Sequence, residues 1–472
     1  MRKLFLFIAL TLSAGLWATT QIVSYRYPVY NTTNNPYSGI KEWKTKSVEA
    51  TVVENSSSQV TWNAGWYVVT GTDVQLSKGA VCAGDVCLIL ADGAKLTATG
   101  SDIDDTPGIQ VSGEGNSLTI YAQSTGDQMG KLTATGRGSS AGIGGGRSGT
   151  GSNITINGGT VTATSGDWAA GIGGGFEGNG EYITINGGTV KADGGDRAAG
   201  IGGGSGGWSC YITINGGTVT ATGGVSAAGI GSGFYKNSFV ITINGGTVTA
   251  TGGNDGAGIG GGYQGSGSEI TINGGTVKAD GGDRAAGIGG GYYASGNKIK
   301  VATYLIVKAG NEENPTEEIA TDRTDDTYIE NDLAGKRYVT TEINFSKYKT
   351  FVIAAVNAKI AESDNDNVKA IATNAATAIN AATTEAEVNT LKNLAIANIT
   401  SAKAAYTAGE TAGDAAGYAR GLEEGKAAGL AEAAAALPTD PEGTAGHTVT
   451  ITKGDKTLIL VNPDKVTYGK QE

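Results

Sequence analysis

Between Ala141 and Lys298, apolar residues recur on two periods at once. The short period is two. Ile154, Ile156, Val161 and Ala163 alternate with Thr155, Thr160, Thr162 and Thr164, the pattern of strands with one buried face. The long period is 29 residues. I-T-I-N-G-G-T-V begins at Ile154, Ile183, Ile212, Ile241 and Ile270, and A-G-I-G sets Ile143, Ile172, Ile201, Ile230, Ile259 and Ile288 in the same rhythm, without insertion or deletion. Gly158-Gly159 separates two of the runs where the chain must turn without a Cβ. A third short run, Ala169 to Ile172, follows another glycine-containing turn. Three short strands and three turns per period predict one coil of a right-handed parallel β-helix, mainly β in class. Such units bury their apolar faces only by stacking.

Stacking sets Ile over Ile about 4.8 Å apart. It also places Asn157, Asn186, Asn215, Asn244 and Asn273 in register, so their amides can bond one to the next along the stack, a structural role. Worn copies of the pattern precede the clean ones: Val86 to Leu90 followed by Gly93 to Thr99, and Leu118 to Tyr121 followed by Gly130 to Thr135, with an insertion at Ser124 to Met129. The β-helix is therefore expected over 66–310, with roughly nine coils at this period.

The flanks change character. Residues 1–18 have a positive start (Arg2-Lys3) and a short apolar core, which reads as a secretory signal peptide. Export to the periplasm, cell surface or medium follows, and no later apolar run is long enough to span a membrane in the mature chain. Residues 19–65 are polar, tyrosine-bearing and irregular, and are expected to cap the open end of the stack. Residues 311–344 read as an acidic linker or second cap, with a last strand near Tyr338-Val339-Thr340. Residues 345–437 are alanine-rich with apolar spacings of three and four. A small α-helical bundle is expected there: one helix capped near Ser363 or Asp364, another starting at Thr383 to Glu387 with Val388, Leu391, Leu394, Ala395 and Ile399 on its apolar face. Glycine then recurs at every fourth residue from Gly409 to Gly429. Each costs about 1 kcal/mol relative to alanine in a helix, so the stripe either packs closely on another helix, in this chain or a protein partner, or the segment is a flexible linker. Residues 438–472 suggest a short C-terminal β-hairpin tail.

Composition narrows the function classes. The chain has 79 glycines and 7 prolines among 472 residues and no G-X-Y rhythm, which excludes collagen. A net charge of −11 argues against nucleic acid or an anionic membrane surface as partner. One histidine, His447, and three cysteines form no metal-binding pattern. Cys82 and Cys87 are either a short-loop disulfide of an exported protein or two reduced thiols on adjacent strands; Cys210 has no evident partner.

L-I-L-x-D-G-A-x-L-T, L-T-I-Y and the repeated I-T-I-N-G-G-T-V and A-A-G-I-G-G-G resemble, over about residues 60 to 310, exported bacterial adhesin-like parallel β-helix repeat proteins. The I-N-G-G-T-V rhythm is also similar to a bacterial carbohydrate-binding β-helix domain. That resemblance implies acidic plant polysaccharide as ligand and calcium as cofactor, although the domain's calcium-binding acids have no matching residues here. Ala381 to Ile399 resembles helical repeats of bacterial cell-surface proteins.

Three constellations invite a chemical reading. Asp167, Asp196 and Asp283 occupy equivalent positions, and Asp193 and Asp280 replace threonines. A polysaccharide lyase or hydrolase would need such acids gathered in one groove. The threonine array T-V-T-A-T could order water on a flat face, but Lys191, Asp193, Lys278 and Asp280 interrupt it. The position after G-I-G-G-G holds Phe176, Ser205, Phe234, Tyr263 and Tyr292, with Trp208, Tyr235 and Tyr293 close by. Rings there either stiffen the turns or stack on sugars or a partner. The expectation is a non-catalytic secreted or cell-surface protein acting in adhesion or carbohydrate binding, with no metal. The alternatives are an enzyme acting on acidic polysaccharide and a purely structural assembly protein.

Overall fold

The computed structural model describes residues 19–30, 40–321, 329–361, 364, 366–412, 449–453 and 456–460. Over the 29-residue repeat the chain is a parallel β-helix. Long strands Gly151–Ile156, Gly180–Ile185, Ser209–Ile214, Ser238–Ile243 and Gly267–Ile272 pair in parallel, isoleucine on isoleucine. Second strands from Thr160–Thr164 to Thr276–Asp280 do the same in another sheet, and short strands such as Ile172–Gly173 close each coil. Ile154, Ile156, Val161, Ala163 and Ile172 are all fully buried. Burying an isoleucine stabilises by about 1.5–3 kcal/mol, which no coil could gain alone.

The asparagine ladder forms as expected. Asn186 Nδ2 donates to Asn157 Oδ1 at 2.7 Å, Asn215 to Asn186 at 2.8 Å, Asn244 to Asn215 at 2.7 Å and Asn273 to Asn244 at 2.8 Å. The glycines beside it are required by close approach. Gly217 has φ +85°, and a Cβ there would lie 2.6 Å from the Gly188 carbonyl one coil back.

The two ends of the stack differ from the expectation in instructive ways. At the C-terminal end, eight parallel rungs run from Val74–Leu76 to Thr276–Asp280 in the second sheet. The strand that would be the ninth, Leu305–Gly310, is held one place away. Tyr338–Ile343 inserts between it and Thr276–Asp280, antiparallel to both, so the growing edge is covered rather than continued.

At the N-terminal end, the described residues of 19–65 are largely strand. β1 (Thr20–Tyr30) and β2 (Ile40–Val52) form a long antiparallel ladder, and Thr51 and Val52 then pair in parallel with β3 (Val60–Val69). The stack thus begins at Val60, before Trp66. The hairpin lies across successive coils. Tyr25 packs on Trp66 and Tyr121 at 4.6 and 4.7 Å, Gln123 donates to the Ser24 carbonyl at 3.2 Å, and the Trp43 ring lies 3.2 Å from the point where a Gly187 Cβ would stand. Tyrosine, lysine and glutamate dilute its period-two pattern, which is why the strands do not stand out in the sequence.

Beyond the stack, α1 (Glu330–Leu333) is followed by three longer helices, α2 (Phe345–Asn357), α3 (Asp366–Ala381) and α4 (Glu385–Ala412). The start expected at Thr383 to Glu387 is a capping box: Thr384 Oγ1 accepts from Glu387 N at 3.2 Å, and Glu387 Oε2 from Thr384 N at 3.1 Å. Val388, Ala395 and Ile399 join a second core with Val352, Val368 and Ile379. Tyr304 links the two bodies. Its ring packs on Tyr348 and Phe351 at 5.0 and 4.9 Å, and its hydroxyl donates to the Asn273 carbonyl. Val449–Lys453 and Lys456–Leu460 form an antiparallel hairpin. The signal segment, the glycine stripe from Gly413 onward, and His447 lie outside the described residues.

Candidate functional site

The turn between the short strand and the long strand varies from coil to coil, as do single positions on the second strand and on the loop after it. After G-G-G comes the aromatic column. The residue that follows it, at Ser148, Glu177, Gly206, Tyr235, Gln264 and Tyr293, has φ between 55° and 76° in all six coils. For a residue with a Cβ this left-handed conformation costs about 1–2 kcal/mol. Bonds between coils hold it: Tyr235 N donates to Tyr263 O at 2.9 Å and Gln264 N to Tyr292 O at 2.8 Å.

The loop after the second strand runs alongside. Phe234 N donates to Arg197 O at 3.0 Å and Tyr292 N to Asp255 O at 2.9 Å. The Arg197 guanidinium lies over the Phe234 ring at 4.8 Å and Arg284 over Tyr292 at 4.3 Å, a favourable cation–ring geometry. Arg284 is also ion-paired with Asp255, and Arg337 with Asp283.

Two kinds of ring result. The inner column is stacked at Phe234 and Tyr263, 5.2 Å apart at 15°, and tilted at Tyr263 and Tyr292, 6.0 Å apart at 48°. Its faces are largely occupied by one another and by arginine. The outer rings, Tyr235 and Tyr293, stand at 67° and 79° to Tyr263 and are 54% and 72% exposed. A hydrogen bond to Tyr292 helps hold the Tyr293 phenol above its ordinary pKa. Beyond Tyr293 a cleft of about 510 Å³ opens against the C-terminal cap, lined by Arg284, Ser295, Asn311, Asn331 and Arg337 among others.

The seven aromatic candidates therefore do not form one stripe. Phe234, Tyr235, Tyr263, Tyr292 and Tyr293 come together. Phe176 is cut off by Ser205 and packs with Trp168 at 5.5 Å and Arg147 at 5.9 Å. Trp208 stands apart, its Nε1 donating to Glu181 at 3.2 Å. Sequence reasoning missed the arginines and a stacked pair, Tyr182 and Tyr211, 4.9 Å apart at 7°. Both could be found by aligning columns: tyrosine precedes I-T-I twice at the repeat spacing, and Arg197 and Arg284 share one column with Trp168.

The other candidates are placed as follows. Asp193 pairs with Lys191 and Asp280 with Lys278 on their own strands. Asp167 and Asp196 stand on neighbouring rungs, Asp196 N donating to Asp167 O at 2.6 Å, on an exposed turn. The acids do not gather in one groove. Among the described residues no group of three His, Cys, Asp or Glu converges on a metal position.

Cys82 and Cys87 form no disulfide. Both lie on a single strand, Ala80–Leu90, rather than on adjacent ones. Five residues of extended chain separate them by roughly 15 Å, far beyond the Cα separation of about 7 Å that a disulfide tolerates. Burial pushes the Cys82 thiol up to about 12, and burial with Asp85 pushes Cys87 up to about 11.

Fold and repeat together define a parallel β-helix protein with a helical C-terminal region. A family model described as a beta helix repeat matches residues 130–147, 154–176, 183–205, 212–234, 241–263 and 270–292. Those stretches are beta helix repeats, each clean match beginning at the first isoleucine of I-T-I. No curated protein and no solved structure matches the chain.

Proposed function

We propose that the protein is a non-catalytic glycan-binding scaffold. It would be exported under the direction of residues 1–18 and act in adhesion or carbohydrate binding at a cell surface. The observation that carries this reading is the outer tyrosine pair. Tyr235 and Tyr293 occupy a backbone conformation that glycine adopts without cost, as Gly206 does in the same column, yet they keep large rings in solvent. An exposed ring beside polar groups suits a sugar face. Asp193 and Asp280, each paired with a lysine of its own strand, support binding over bond cleavage.

Co-sedimentation of the full chain with a panel of insoluble polysaccharides, run beside an absorbance assay for unsaturated uronides, tests this. Retention without product is expected. Product release would replace the proposal with a lyase, and no retention by any polysaccharide would remove it.

A further inference from the structure

We infer that the ligand is a neutral, extended glycan of the two-fold ribbon type, such as a β-1,4-linked glucan, mannan or chitin chain, lying along the stack axis over Tyr235, Gln264 and Tyr293. This rests on the glycan-binding reading above and narrows it to one ligand class.

Spacing is the first argument. Tyr235 and Tyr293 share one column and are two coils apart, which is about 10 Å at the β-strand spacing. In a two-fold β-1,4 ribbon the same sugar face recurs at every second residue, at close to this repeat. Two tyrosines two coils apart then meet equivalent faces of sugars n and n+2. Gln264, on the coil between them, is exposed and places an amide where sugar n+1 turns its hydroxyls. Its Nε2 donates to the Tyr263 hydroxyl at 3.4 Å, which orients it. Three tyrosines in successive coils would not suit such a chain, because sugar n+1 is rotated.

Ring geometry is the second. Both outer rings lie steeply to the Tyr263 ring, whose stack with Phe234 follows the coil axis. Each also lies 3.8 Å from the inner ring of its own coil, Tyr235 at 52° to Phe234 and Tyr293 at 33° to Tyr292, so the solvent-side face of each is the one available to a polymer running along the stack. The Tyr182–Tyr211 pair is also exposed, but its rings cover each other's faces at 7°.

Charge is the third. At the Tyr293 end both arginines are matched by an acid, Arg284 by Asp255 and Arg337 by Asp283, while at the Tyr235 end Arg197 lies over the Phe234 ring. Around Tyr293 an acidic polysaccharide would meet no surplus of positive charge, which favours the uncharged chain there. The cleft beyond Tyr293, with Asn311 and Asn331 in its lining, lies next along the same column.

Calorimetric titration of the full chain with cello- and chito-oligosaccharides of two to six units, with tetragalacturonate and laminaritetraose as comparators, tests the inference. Affinity should rise tenfold or more between the disaccharide and the tetrasaccharide, since only a chain of three or more sugars reaches both tyrosines. Tyr293→Gly and Tyr235→Gly, which place glycine where Gly206 already stands, should each abolish that step and leave the circular dichroism spectrum unchanged. Equal or tighter binding of tetragalacturonate or laminaritetraose, or a wild-type affinity independent of length, would overturn the two-fold ribbon while leaving glycan binding intact. Binding of no saccharide would overturn both readings.

Discussion

Single residues divide into those that hold the stack and those that face outward. Asn215 is of the first kind: it accepts from Asn244 and donates to Asn186. Asn215→Ala leaves both neighbours with an unmade bond, each costing about 1–3 kcal/mol where burial keeps water out. The denaturation midpoint should fall measurably, whereas Asn237→Ala, which removes a bond from Ser266 N on an exposed turn where water can replace it, should shift it far less. The ladder is visible in the sequence because one residue type repeats in register and stacking alone explains it. The left-handed tyrosines are not, because a positive φ at a residue with a Cβ is imposed by bonds between coils and leaves no local mark.

The thiols give a second test at this scale. Cys82, Cys87 and Cys210 are raised to about 12, 11 and 11, in each case chiefly by burial. Only a thiolate is a good nucleophile. Alkylation at pH 8 should therefore be slow in the fold and fast in denaturant; rapid modification of native Cys82 would contradict the burial. The sign for stability follows from the same shifts. These groups ionise at lower pH in the unfolded chain than in the fold, so stability should decline as pH rises from the ordinary thiol range towards 11 to 12.

Among the elements, those with a local signature were readable and those defined by a distant partner were not. The α4 start carries its own capping box, and Thr384→Ala should cost about 1 kcal/mol of helical-region stability, read as a lower midpoint of the helical signal at 222 nm. The β1–β2 hairpin has no such signature. Its strands are fixed by Trp66, Tyr121 and Gly187, which are far away in the chain. The same is true of Tyr338–Ile343: its strand character is local, but its insertion between Thr276–Asp280 and Leu305–Gly310, which turned an expected ninth rung into a cap, depends on a long-range antiparallel pairing.

In the whole molecule the repeat acts as a one-dimensional lattice in which each coil touches only its neighbours. Deleting residues 212–240, one full period, should leave a folded chain with an unchanged strand signal and a smaller hydrodynamic size. Deleting 28 residues from the same place should not, because a one-residue slip turns each inward side chain outward. The division of labour follows from this lattice. Invariant isoleucines, asparagines and glycines build the rod, and the variable turn carries the candidate site. The most direct test is a side-by-side measurement of polysaccharide affinity and thermal midpoint for the wild-type chain and the Tyr235→Gly/Tyr293→Gly double variant. The account predicts at least a tenfold loss of affinity, about 1.4 kcal/mol, with a midpoint equal to or slightly above wild type because two left-handed strains are relieved. Undiminished affinity, or a collapse of the midpoint, would contradict it.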